Sequence, residues 1–102
     1  MSALNSIIKH YESIPRKKIH VKEWKFDIFF TKLTLKEREL IYKDDENTMA
    51  NALIYKAQNE DGTLMFNRAD RCDLTTKADS KVIAKVALEI LEIDSEEEAK
   101  ND

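Results

Sequence analysis

The chain is 102 residues long with a formal net charge of −3, a single cysteine, a single glycine and a single proline. This length suits one small domain that buries roughly two-thirds of its unfolded surface without staples. The lone Cys excludes an intrachain disulfide and points to a reducing compartment, one Gly leaves no glycine-rich phosphate cradle, and no run approaches the ~20 apolar residues of a membrane span.

The opening Met1-Ser2-Ala3 lacks the basic and apolar regions of a secretory signal. From Ala3 to Ile14 the spacing predicts a short helix, with Leu4, Ile7, Ile8 and Tyr11 on one stripe. Ser2 is its expected N-cap, and Pro15 ends it by disfavouring helical backbone at Ile14. A helix this short frays unless it docks on its own hairpin or on a neighbouring subunit.

Arg16-Lys17-Lys18 follows, with His20, Lys22 and Lys25 nearby. The run reads either as a phosphate-binding patch or as a strand edge where lysine discourages unwanted pairing. An overall acidic domain favours the strand edge.

Between Ile19 and Phe30 the pattern has period two. Ile19 and Val21 alternate with His20 and Lys22, and Phe26, Ile28 and Phe30 alternate with Asp27 and Thr31. Two such runs make a hairpin with Glu23, Trp24 and Lys25 near its turn. The pattern then switches: Thr34-Leu35-Lys36-Glu37 is a capping box that starts a helix at Leu35. That helix ends at the charged break Asp44-Asp45-Glu46, and Asn47 or Thr48 caps a third, Met49 to Gln58, striped by Met49, Leu53, Ile54 and Ala57. Ala50, Ala52 and Ala57 permit close helix approach. A helix-turn-helix role for this pair is disfavoured, because three consecutive acids at the turn would face phosphates and the second helix offers only Lys56.

Asn59-Glu60-Asp61-Gly62-Thr63 is the clearest turn, with Gly62 expected at positive φ. It fails the spacing of a calcium-binding EF-hand loop. Phe66 is expected to anchor the connection to the core, and Asn67 to cap a helical turn from Arg68 to Leu74. Cys72, within that turn, has no histidine in its half of the chain and reads as a filler rather than a reactive thiol.

The last helix is expected from Lys77 to Ile93, capped by Thr75 or Thr76. Its stripe is Val82, Ile83, Val86, Ile90 and Leu91, widened by Ala84, Ala87, Leu88 and Ile93. A stripe so broad reads either as a central core helix or as one shared between the core and a partner copy or client helix. The remaining DSEEEAKND is too polar to offset its ordering entropy and is expected to be disordered. Charge is asymmetric along the chain: residues 1–43 carry a net +5 and residues 44–102 a net −8. Either the halves interleave and the asymmetry cancels, or it favours head-to-tail contact between copies.

The fold class is therefore α+β and mainly α: an N-terminal helix, one β-hairpin at about 18–32, then three to four packed helices, forming one domain over 1–94 with a disordered acidic tail over 95–102. Both histidines fall within the first twenty residues, and no carboxylate pair sits alone in apolar surroundings. The chain is therefore not expected to be an enzyme, and no catalytic, cofactor or metal site is expected. The candidate protein-binding or self-association residues are Leu4, Ile7, Ile8, Tyr11, Val82, Ile83, Val86, Ile90 and Leu91. Trp24, Phe26, Ile28, Phe30, Thr34 and Glu37 are assigned to the structure of the hairpin and cap.

The segment KIHVKEWKFDIFFTKLTLKERE resembles the opening of the tail assembly chaperones of long-tailed, non-contractile phages. Val21, Trp24, Ile28, Phe30, Leu33, Thr34, Glu37 and Arg38 carry the likeness, followed by Glu60-Asp61-Gly62, Phe66, Asp70 and Leu74 and a closing amphipathic helix. It spans residues 18–93 and departs in having no Gly after Trp24. The resemblance implies a protein that binds the tape measure protein, keeps it soluble and extended while tube subunits polymerise around it, and is absent from the finished virion. It also implies a host-cytoplasmic location and a longer frameshifted form that recruits the tail tube protein. A long client further calls for many copies that self-associate, as a ring or helical homo-oligomer, with the broad last helix, the first helix and the charge asymmetry as candidates for that contact. The alternatives are a small phage or bacterial regulator that binds another protein, or a nucleic-acid module using Arg16 to Lys25. No membrane partner is expected.

Overall fold

In a computed structural model the backbone is described for residues 2–100 and the side chains for residues 2–91. The acidic tail expected to be disordered over 95–102 lies outside the residues whose side chains are described, and its last two residues lie outside the described backbone. Ser2 starts the first helix as expected: its Oγ accepts from the Asn5 N–H at 3.1 Å. Helix α1 runs Ala3–Ser13, and Ile14, before Pro15, is already extended at φ −76° and ψ 121°.

Strands β1 (Lys17–Val21) and β2 (Phe26–Phe30) pair antiparallel with Ile19 opposite Ile28 and Val21 opposite Phe26. Ile19, Val21, Ile28 and Phe30 are buried on one face. Phe26 departs from the expected pattern. It occupies a position on that face but is 39 % exposed, with the tilted Trp24 ring 5.9 Å away between centroids. On the other face His20 Nδ1 meets Asp27 Oδ1 at 2.7 Å, and the Arg16 guanidinium lies 4.7 Å from the Phe29 ring centroid. One further residue adds to the sheet: Gln58 bridges both Phe29 and Leu64, exchanging bonds of 2.7 and 3.0 Å with the Phe29 backbone.

The turn closes when the Trp24 and Lys25 N–H groups both donate to the Val21 carbonyl. That geometry forces Lys25 to φ 63°, a left-handed conformation that disfavours a side chain with a Cβ. Here is the glycine position that the sequence lacks. Lys25→Gly is expected to stabilise the domain by about 0.5–1 kcal/mol, the relief of strain less the extra unfolded-state freedom, read as a rise in the urea midpoint. Gly62 takes the expected positive φ, at 93°. In the same turn the Thr63 N–H and then its hydroxyl hold the Asp61 carboxyl below the ordinary carboxylate range.

The capping box is formed in both directions. The Glu37 N–H donates to Thr34 Oγ1 at 3.2 Å, and the Thr34 N–H to Glu37 Oε1 at 2.9 Å. Helix α2 follows over Leu35–Tyr42, then a 3-10 turn at Asp45–Asn47, then α3 over Thr48–Lys56. Asn67 caps a second 3-10 turn, Arg68–Asp70, which leads into α4, Arg71–Thr76. The last helix, α5, spans Ser80–Lys100, so the expected start at Lys77 and cap at Thr75 or Thr76 are corrected. Both threonine hydroxyls turn back to carbonyls of α4, those of Arg71 and Cys72. Asp79 starts α5 instead, its Oδ1 accepting from the Lys81 N–H at 2.8 Å.

The hub of the molecule is α3. It packs on α2, α4 and α5, and Ala50, Asn51, Ala52, Leu53, Ile54 and Lys56 are all buried. Its alanines make this possible, because a helix can be approached from several sides only where side chains are small. Ile41 from α2, Leu53 from α3, Val82, Val86 and Ile90 from α5, and the hairpin residues share one hydrophobic cluster.

Candidate functional site

Among the described residues the apolar surfaces left uncovered are only partly the ones the sequence nominated. The first is α1. Leu4 is 63 % exposed, Ile7 65 % and Ile8 44 %, so the expected stripe exists and faces solvent. Tyr11 alone of the four is half-buried. Its hydroxyl donates to the Lys32 carbonyl at 2.6 Å, with Thr31 Oγ1 3.2 Å away. The helix thus stands on one aromatic foot.

The second nominated surface is not a surface. Val82, Ile83, Val86 and Ile90 of α5 are buried against the core, and Leu91 is half-buried against it. The stripe is wide because α5 covers both the hub helix and β1, so Val82, Val86 and Ile90 are corrected from binding candidates to core, while Ile83 and Leu91 pack on the core and also line the groove described next. What α5 does offer outward is Leu88, 47 % exposed. It lies in a groove of ≈ 550 Å³ whose other apolar lining includes Met49, Leu74, Ala78 and Leu91, with Asp45 and Glu46 at its rim. A shallower hollow of ≈ 530 Å³ lies beside the hairpin, between Phe26, Phe29, Met65 and Phe66. The flexible thioether of a methionine suits surfaces that must accept varied side chains.

Beneath α1 lies a polar cluster that sequence reasoning missed. Lys56 is 1 % exposed. Its ammonium donates to Glu37 Oε1 at 2.8 Å, Thr31 Oγ1 at 2.8 Å and the Lys32 carbonyl at 3.2 Å. All three of its protons are used. One carboxylate oxygen therefore serves both the capping box and the buried cation, and two of the lysine's acceptors also meet Tyr11. A signal existed: Lys56 lies four residues after Ala52 and three after Leu53, on the apolar stripe of a helix with no polar face. Asn51 was missed likewise. Buried in α3, it donates to the Ile41 carbonyl at 3.3 Å and accepts from Arg71 Nε at 3.0 Å, tying the end of α2 to α4.

Among the described residues no group of three His, Cys, Asp or Glu side chains could hold a metal ion. None of the described helices is long and apolar enough to cross a membrane. Cys72 is exposed on α4. The basic run is partly committed within the chain, with Arg16 donating to the carbonyls of Asn59 and Glu60 at 3.4 and 2.9 Å, so the two charge halves meet there.

No family model, curated protein or solved structure matches this chain.

Proposed function

We propose that this chain is a small tail assembly chaperone whose α1 captures helical segments of a tape measure protein, keeping that long client soluble while tube subunits assemble. The reading rests on the uncovered stripe of α1: three large aliphatic side chains, each at least 44 % exposed, along one side of an 11-residue helix. An amphipathic helix with that face open is built to pair with another amphipathic helix. Clustered apolar exposure of this kind on a charged protein marks an interaction site. The resemblance carried by residues 18–93 supplies the class of client. On this reading the protein acts by binding, without bond-making, in the host cytoplasm, and does not stay in the virion. A longer frameshifted form would bring in the tail tube protein.

The test is co-expression with a tagged, predicted-helical tape measure fragment, followed by pull-down. The wild-type chain is expected to co-purify. Ile7→Asp is expected to weaken capture about thirtyfold or more, the equivalent of ~2 kcal/mol for a central apolar contact. Being a surface change, it should shift folding stability by no more than about 0.5 kcal/mol. Undiminished capture by Ile7→Asp would remove α1 from the mechanism, and failure of the wild-type chain to bind any segment of the client would refute the function.

A further inference from the structure

We infer that the groove between α3, α4 and α5 is the seat for α1 of a second copy of this chain, so that copies without client store their binding helices in one another. The inference rests on the role just proposed for α1. Three observations select this occupant. The stripe of Leu4, Ile7 and Ile8 is open while its own foot, Tyr11, is fixed to Thr31 and Lys32, so α1 does not lie in its own groove. The groove is apolar where that stripe would lie, with Met49 41 % and Leu88 47 % exposed. The charges also match. Asp45 and Glu46 line the groove, and the stripe is followed by Lys9 and, beyond the proline, by Lys17 and Lys18, with Glu12 the one acid among them. Because donor and acceptor surfaces differ, the contact is heterologous and adds copies head to tail, into a ring or an open string. A client helix then competes with the groove for α1, and client binding takes the string apart.

Sedimentation velocity of the full chain over a concentration series tests this. The wild-type mass is expected to rise with concentration and fall with added salt, because the rim charges are exposed and screened. Leu88→Asp, an exposed substitution, is expected to raise the concentration needed for association about tenfold or more while leaving capture of the tape measure fragment intact. Glu46→Lys tests the rim without touching the apolar lining: it is expected to weaken association at low salt, and Lys9→Glu in the same chain to restore it. Cysteine pairs give the geometry. With Cys72→Ser in both copies, a mixture of Ile7→Cys and Leu88→Cys chains should form a mixed disulfide. A wild-type chain that stays monomeric at low salt, or Leu88→Asp and Glu46→Lys chains that associate as the wild type does, would overturn the seat. The capture result would still stand or fall by Ile7 alone.

Discussion

Glu37→Ala is expected to destabilise the domain by ~3 kcal/mol, more than the loss of any ordinary capped helix start. The carboxylate does two jobs with one oxygen. It accepts from the Thr34 N–H at the start of α2 and from the Lys56 ammonium, and the ammonium is 1 % exposed. Removing a partner from a buried ion leaves a charge that neither water nor protein neutralises, at a cost of about 3–5 kcal/mol. Two features bring the expected value to the low end. Glu37 is itself 28 % exposed, and Lys56 keeps the hydroxyl of Thr31 and the carbonyl of Lys32. The capping box adds about 1 kcal/mol. Glu37→Gln with Lys56→Met removes both charges and should recover most of the loss, since a buried pair replaced by apolar volume is near neutral. Urea unfolding of the single and double variants measures the difference. A single variant within about 1 kcal/mol of wild type would mean that water solvates the ammonium in place of the carboxylate.

Val86→Asp is expected to unfold the chain outright. Val86 is fully buried in the shared cluster, so an aspartate there has no solvent, and a buried uncompensated carboxylate costs several kcal/mol even after it takes up a proton. Small domains hold about 5–15 kcal/mol in total, and the loss would be visible as collapse of the far-ultraviolet dichroism. The contrast with Leu88→Asp, two positions along the same helix, discriminates between the two readings of α5. If the stripe were a client surface, the Val86 change would spare folding and abolish capture. If it is core, as its burial indicates, folding is lost first.

Much of the local architecture is legible in the residues. Ser2, Thr34 with Glu37, Asn67 and Gly62 each specify a turn or helix end through one or two nearby hydrogen bonds, and all four act as expected. The hairpin follows from period two. What the sequence does not reveal is non-local. Periodicity tells which face of α5 is apolar, but not whether that face meets its own chain or another. Only the assembled contacts with α3 and β1 decide it. The same holds for Phe26, which has the right parity for the core and pairs with buried Val21 yet is 39 % exposed. Lys56 was hidden for a different reason: its partners are 19 to 25 residues away in sequence, and no local rule joins a lysine of the third helix to the cap of the second. The candidate site was half legible. The α1 stripe is where the residues put it, whereas the groove is assembled from three helices and a turn that share no motif.

Gln58 has a consequence for how copies of this protein can meet. By pairing with Phe29 it occupies the outer margin of β2, and the outer margin of β1 begins with Pro15 and carries Lys17 and Lys18, residues that repel an incoming strand. Both margins of the ribbon are thus partly blunted against strand addition. Copies of this protein brought close together are therefore discouraged from adding strands to one another, and their contacts fall to the helical surfaces.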